Sequence, residues 1–366
     1  MNETECCIYL NLLNIGYRSV IKLKNRFGTL VKALSAPDRE LLSVEGIRKK
    51  TLESIVEKRH QPLLQKELDL QQKSDCDLIT INDETYPDAL RQIACPPLVL
   101  YVRGALKPED KNALAVVGTR KPTRYGKKTA RSLAYQLASG GVTIISGLAK
   151  GLDSEAHQGA LDAGGRTIAV LGSGLLRMYP RENIKLARRI AQSGAVISEF
   201  PLETDPYRSN FPIRNRIISG MSLGTVVVEA AAKSGTLITA AFALEQGRAV
   251  FSVPGNVDQP ASEGANSLIK QGASLVQNAD DIFRELPYLT RRKDLPDQNK
   301  HKSMAVKLSS KEKSIVDLLS DQPVHIDELT QLCHMSAAEI SVLLLTLEIK
   351  RIIKQLPGKY YVHDNQ

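Results

Sequence analysis

Residues 113–157 read ALAVVGTRKPTRYGKKTARSLAYQLASGGVTIISGLAKGLDSEAH. The apolar run 113–117 is too short for a buried helix and ends at Gly118, so it reads as a strand. A basic loop, 119–126, leads into a segment with apolar residues at Ala130, Leu133, Ala134 and Leu137, the spacing of one helix face. A second apolar run, 142–145, ends in another glycine loop, 146–151. This is a βαβ unit: the crossover helix forces the two strands parallel and brings both glycine loops to one edge of the sheet. Glycine lets backbone N–H groups approach an anion, and helix N-termini add partial positive charge. Arg120, Lys121, Arg124 and Lys150 add side-chain cations, more than one small nucleotide requires.

Working outward, further short runs rich in Val, Ile and Ala occur at 167–171, 195–198, 225–228, 249–253 and 274–276, separated by segments of helical spacing. Near-continuous apolar strands of this kind are buried on both faces, which predicts a doubly wound α/β sheet. Two earlier runs bounded by prolines, 78–81 and 98–102, are expected to extend it. Ligands of such sheets sit beyond the carboxyl ends of the strands. The loops there carry Arg181 after Tyr179-Pro180, Arg208, Phe211, Arg214 and Arg216, and then Ser234-Gly235-Thr236, where Thr236 could cap a helix or bond a phosphate oxygen.

The flanks differ in character. Residues 1–60 are helical in pattern, and 41–55 resemble a helix-hairpin-helix whose second turn glycine is replaced by Arg48; a working DNA hairpin and a helical packing module both remain open. Residues 61–77 read as a polar connector and 291–307 as a basic, solvated linker. From 308 to 366, capping boxes at Ser309/Glu312 and Ser336/Glu339, three helical segments and a hairpin around Pro357-Gly358 predict a winged helix. Its third helix, AAEISVLLLTLEI, offers no Arg or Lys before Lys350, so it lacks the donors used for direct base reading.

At 366 residues the chain exceeds one ordinary core. Its formal net charge of +9 suits a polyanionic partner. The five cysteines are scattered and form no C-x-x-C pair, pointing to a reducing compartment without disulfides or structural zinc. Met1 to Glu5 carries acid where an export signal would carry base, and no apolar run is long enough for a membrane span; the expectation is a cytoplasmic protein.

Catalytic and cofactor motifs fail individually. Gly126-Lys127-Lys128 lacks the leading glycine and the hydroxyl of a phosphate-binding P-loop, and Gly172-Ser173-Gly174 lacks the third glycine of a dinucleotide site. Ser146 and Lys150 do not have Ser-x-x-Lys spacing, and no serine sits in a nucleophile elbow. His157 reads as a satisfied helix residue, and Cys333-His334 has no second ligand pair. We therefore expect no catalytic residue, cofactor or metal. Phe211, in a polar loop between Arg208 and Arg214, could stack a base or anchor the loop.

Six motifs taken together, Val116-Val117-Gly118-Thr119-Arg120, Ser146 to Asp153, Tyr179-Pro180, Phe211-Pro212-x-Arg214-Asn215-Arg216, Ser234 to Thr239 and Val253-Pro254-Gly255-Asn256, closely resemble the bacterial DNA processing protein A (DprA/Smf) family. The resemblance implies an extended Rossmann-like domain at 78–290, a small SAM or helix-hairpin-helix-like domain at 1–60 and a winged helix at 308–366. It also implies a cytoplasmic homodimer that binds and protects incoming single-stranded DNA in natural transformation and helps load the RecA recombinase. Carried onto this sequence, the DNA site comprises Arg120, Lys150, Arg181, Arg208 and Phe211, with backbone contacts near Gly118, Ser146, Gly147, Ser234 and Gly235; the loop cations Lys121, Arg214 and Arg216 are counted with it from their place at the same sheet edge. Two rivals stay open. One is a nucleotide-directed hydrolase using Glu229 after Gly224-Thr225, although the Pro-Gly-Gly loop of such phosphoribohydrolases is absent; the other is an adaptor whose basic edge is incidental.

Overall fold

The computed structural model describes residues 1–58, 62–289, 309–319, 323–333, 335–350 and 352–363. The linker expected at 291–307 lies outside the described residues, as do residue 61 of the connector and His334. The chain divides into two compact units, Met1–Leu295 and Pro296–Gln366.

The larger unit opens with helices α1 (Glu3–Leu12), α2 (Tyr17–Phe27), α3 (Leu30–Ser35), α4 (Asp38–Leu42) and α5 (Lys49–Lys58). Gly46 turns the chain between α4 and α5 at φ +73°, and its carbonyl accepts from Lys22 Nζ at 2.5 Å. The segment read as a connector instead folds into α6 (Leu63–Lys73). Its mostly polar composition hides an apolar edge at Leu64 and Leu68, which packs on the core, and a buried Glu67 that accepts the Leu202 N–H at 2.8 Å. These helices share one hydrophobic core with the sheet: Leu10, Leu23 and Leu52 cluster with Val99, Tyr101, Leu171 and Val196.

The sheet comprises β1 (Asp77–Thr80), β2 (Val99–Gly104), β3 (Ala113–Val117), β4 (Thr143–Ser146), β5 (Thr167–Val170), β6 (Ala195–Ser198), β7 (Gly224–Val227), β8 (Ala249–Ser252) and β9 (Ser274–Leu275). Their spatial order is β1-β2-β6-β5-β4-β3-β7-β8-β9. From β6 to β9 the pairing is parallel, and β1 and β2 add antiparallel at one edge. In β3, Ala115 and Val117 face one core while Leu114 and Val116 face another, as strand alternation requires when both faces are covered. After the short α7 (Asp88–Arg91), the covering helices are α8 (Arg124–Ser139), α9 (Leu152–Asp162), α10 (Ile184–Ser193), α11 (Asn210–Gly220), α12 (Thr236–Glu245), α13 (Glu263–Lys270) and α14 (Ala279–Glu285). The order reverses at the β3–β7 pair, with β4 to β6 built to one side and β8 and β9 to the other. That reversal is the topological switch point, where an open α/β sheet leaves a crevice for ligands.

The smaller unit contains α15 (Ser310–Leu318), β10 (Val324–His325), α16 (Ile326–Cys333), α17 (Ala337–Ile349), β11 (Ile353–Leu356) and β12 (Tyr360–His363). The strands pair in the order β10-β12-β11, adding one strand to the expected hairpin. Both capping boxes form, and Ile315, Leu329, Ile340, Leu344 and Ile353 make a core of its own. Lys350, at the end of α17, is paired with Glu312 at 2.6 Å. Val342 and Leu345 on that helix are exposed.

Candidate nucleic-acid interface

The switch-point crevice is a cavity of about 810 Å³. Four loops meet in it: Gly118 to Arg120 after β3, the β4–α9 loop at Ala149, the approach to α11 at Pro206 and Arg208, and the β7–α12 loop at Ser234 and Gly235. Phe211 stands half-buried in the first turn of α11 rather than in a loop, held against Gly172, whose missing Cβ would lie 2.8 Å from the ring. The Arg120 guanidinium lies 5.2 Å from the Phe211 ring centroid, within cation–π range. Tyr179 approaches the same ring at 6.0 Å with its plane tilted by 59°. Phe211 is therefore anchored on the sheet and also walls the cavity.

The remaining sequence-selected residues divide into those the cavity collects and those it does not. Gly118, Arg120, Arg208, Phe211, Arg214, Ser234 and Gly235 line it; Lys121, Ser146, Gly147, Lys150, Arg181 and Arg216 do not. Arg214 and Arg216 belong to a helix, because Asn210–Gly220 continues through the polar residues expected to form a loop. Arg216 is committed to a bidentate pair with Glu199, at 2.6 Å for each contact, and to the Cys95 carbonyl. Lys150 is exposed and paired with Glu182 at 2.6 Å, which holds its ammonium pKa above the ordinary value. Lys121 is exposed beside the cavity mouth sequence, and Arg181 lines a neighbouring cavity.

Arg214 is a buried brace. Its Nη1 donates to the Gly147 carbonyl at 2.6 Å and to the Val170 carbonyl, tying α11 to the ends of β4 and β5. Burial lowers its pKa to about 10, opposed by Asp153 and reinforced by Arg120. Asp153, wholly buried, accepts the Gly147 and Ala149 N–H groups at 3.2 and 3.3 Å; burial raises its pKa against the pull of Arg214. Gly147 must be glycine because a Cβ there would lie 2.6 Å from the Arg214 guanidinium. The Gly147 N–H and the Ser146 hydroxyl, which donates to the Val116 carbonyl at 2.6 Å, thus serve the interior. Glycine in the β4 loop admits the Arg214 guanidinium, at the position where the sequence predicts a phosphate.

The β7 side behaves differently. A Cβ on Gly235 would meet nothing within 4 Å, so the backbone there is open to the cavity. Gly235 holds the N-cap position of α12 without a side-chain cap, Thr236 is the first helical residue, and Ser234 Oγ accepts the Thr236 N–H at 3.2 Å in the turn before it. The N-terminus of α12 consequently opens on the crevice with its partial positive charge. Asn215, Tyr179 and Thr239 also line the cavity and were not selected from sequence. Thr239 follows Thr236 at helical spacing, a usable signal; Asn215 had only its arginine neighbours to mark it.

Glu229 faces elsewhere. Its buried carboxylate accepts the Thr123 N–H at 3.0 Å and the Thr123 hydroxyl, fixing the start of α8, and it borders a separate cavity of about 430 Å³ with Tyr125 and Pro254. Among the described residues no group of three or more His, Cys, Asp or Glu side chains is arranged to hold a metal ion.

A doubly wound sheet with a cationic, ring-walled crevice at its switch point defines a Rossmann-like protein. Residues 77–287 match the family model described as DNA recombination-mediator protein A, and residues 300–359 match that of the DprA winged helix domain. The chain belongs to the DprA/Smf family. It is 41% identical to the DNA processing protein DprA of Bacillus subtilis over 78% of this chain and 97% of that protein. Protein Smf of Synechocystis sp. is 34% identical over 93% of each chain. Among solved structures, DprA from Streptococcus pneumoniae superposes with a TM-score of 0.69 at 33% identity, covering 78% of this chain and 99% of that one. DNA processing protein A from Helicobacter pylori, described for its single-stranded DNA binding mode, gives 0.52 at 31% identity over 58% and 96%.

Proposed function

We propose that this chain is a non-catalytic, cytoplasmic single-stranded DNA-binding protein of natural transformation and recombination, which protects the incoming strand and passes it to RecA. The observation that carries the reading is the presence in one crevice of Arg208, the half-buried Phe211 and Arg120, whose guanidinium lies 5.2 Å from that ring, with no carboxylate in ion-pairing contact with either arginine among the described residues. Cations and the α12 N-terminus hold the sugar-phosphate chain while Phe211 and Tyr179 offer faces to bases, so sequence preference is small. The Helicobacter pylori relative's single-stranded DNA binding mode supports this assignment. In this reading Gly118, Arg120, Arg208, Phe211, Ser234 and Gly235 touch DNA, Lys121, Lys150 and Arg181 act at its margins, and Arg214 and Arg216 hold the walls. Homodimerisation through the 78–290 domain and the handover to RecA follow the family expectation.

The hydrolase alternative has Glu229 as its acid or base, and the engagement of that carboxylate by Thr123 at the head of α8 counts against it. Arg120→Ala should weaken binding of all single-stranded oligonucleotides alike and reduce the slope of log affinity against log salt by ~0.7, the value for one phosphate contact on a single strand. Unchanged affinity and slope would reject the site. Release of base from nucleoside monophosphates, abolished by Glu229→Gln, would favour the enzyme.

A further inference from the structure

The crevice does not stop at its own rim. Tyr179 and Pro206 line both the switch-point cavity and a second one of about 400 Å³, which is bordered by Arg103, Arg177, Arg181 and Arg188. Arg103 and Arg188 in turn border a third, of about 450 Å³, lined also by Asp75 and Asp77, while the second already holds Asp205 beside Pro206. The three cavities are thus linked through shared lining residues, Tyr179 and Pro206 between the first two and Arg103 and Arg188 between the last two.

The cations of these linked cavities divide, since Arg177 is drawn to carboxylates and Arg103 donates to the Ser74 carbonyl at 3.0 Å, whereas two others are not so engaged. Lys150, Arg166 and Arg216 are each paired with a carboxylate, and Arg177 sits 3.8 and 4.0 Å from Glu203 and Asp205. Arg181 and Arg188 are exposed and have no carboxylate in ion-pairing contact among the described residues. Arg181 lies in the 3-10 turn that leads into α10 and Arg188 in the second turn of α10, and both line the second cavity. Between them Ile184 and Ala187 give the groove an apolar floor. Cations spread along a line over an apolar strip suit a repeating phosphodiester; a single phosphate would need them to converge.

We propose that the single strand continues out of the switch-point crevice, past Tyr179 and Pro206, into this arginine groove, with Arg181 and Arg188 each meeting a backbone phosphate and Asp75 and Asp77 marking its end. The inference rests on the single-strand reading of the crevice and extends its length.

The test uses the full chain with oligothymidylates of roughly 4 and roughly 16 nucleotides, the span of known single-strand site sizes. The short probe occupies the crevice alone; the long one reaches the groove. Arg188→Ala should lower the salt slope for the long probe by ~0.7 and weaken its binding severalfold at low salt, leaving the short probe unchanged, and Arg188→Lys should restore the slope. The same slope for both proteins on the long probe would overturn the groove and point to an acidic protein partner there. An equal loss on both probes would overturn it too, as a general effect on the fold. Arg120→Ala on the short probe separates the two levels: if short-probe binding is present and depends on Arg120 while Arg188 has no effect, the crevice reading stands and only its extension fails.

Discussion

Arg214 shows how far a residue type can mislead about its role. Its guanidinium sits among loops rich in cations, yet it is 4% exposed and spends Nη1 on two backbone carbonyls with Asp153 beside it. Removing the guanidinium strands two buried carbonyls and leaves the buried Asp153 without its counter-charge, so Arg214→Ala should destabilise the protein by about 3–5 kcal/mol, read as a lower urea midpoint, before any effect on DNA is considered. His157 carries a second buried commitment. Thr167 Oγ1 donates to the Ile144 carbonyl at 2.7 Å, so His157 Nδ1, 2.6 Å from that oxygen, must be the donor, and Nε2 is left buried without a partner among the described residues. Burial, aided by Arg214, lowers the His157 pKa to about 3 from 6.5. Between these values the unfolded chain takes up a proton that the folded one refuses. This contribution to stability is therefore complete above pH 6.5 and is lost as the pH falls towards 3, at a rate of up to ~1.4 kcal/mol per pH unit. Urea unfolding at pH 7 and pH 4.5 should show a loss smaller by about 2 kcal/mol in His157→Gln than in the parent. Equal losses would mean that another group dominates.

At the scale of elements, the strands were legible because parallel strands buried on both faces leave little room for polar residues. The observed β5, β6 and β8 fall within the expected runs, and β3 is matched residue for residue. What escaped were elements whose burial is supplied by distant parts of the chain. α6 reads as polar because its core contacts occupy a narrow edge and its buried Glu67 is satisfied by Leu202, a partner sequence cannot supply. The first turn of α11 escaped because Phe211 and Pro212, followed by arginines, resemble a binding loop, whereas Pro is tolerated in the first turn of a helix. The candidate site was likewise legible as a set of loops but not as a set of contacts. Which of its cations would be consumed by Glu199, Glu182 or Gly147 depends on packing across the sheet. The N-terminus of α12 allows a clean separation of stability from binding. Gly235 has φ near −60° and open space around its Cβ position, so a side chain fits. Gly235→Asp should keep or slightly raise thermal stability, by about 0.3–1 kcal/mol, because a carboxylate favours a helix N-terminus. The same charge faces the crevice and should weaken single-strand binding by at least about tenfold, an energy of ~1.4 kcal/mol. Gly235→Ala, matched in backbone cost but uncharged, should stay close to the parent in affinity.

On the scale of the whole molecule, the two units differ in how much DNA-facing charge they can offer. The α/β unit gathers unpaired guanidinium groups at its switch point. In the winged unit, α17 presents Val342 and Leu345 to solvent, its own carboxylate Glu339 is tied to Lys311 and the Ser336 cap, and Lys350 is drawn onto Glu312. A helix with that surface has neither bidentate donors for base edges nor spare cations for phosphates. The cores of the units are also separate, Ile315, Leu329 and Leu344 belonging to one cluster of eight buried residues within the winged unit. Removing residues 300–366 should therefore leave the sheet unit folded, with its affinity for single-stranded oligonucleotides and the salt slope within experimental error of the full chain. The Arg120→Ala loss should also be the same size in both backgrounds, since additivity holds for sites without shared partners. A truncated chain with a clearly shallower salt slope would assign phosphate contacts to the winged unit, and a smaller Arg120 effect in that background would mean that the two units grip the strand together.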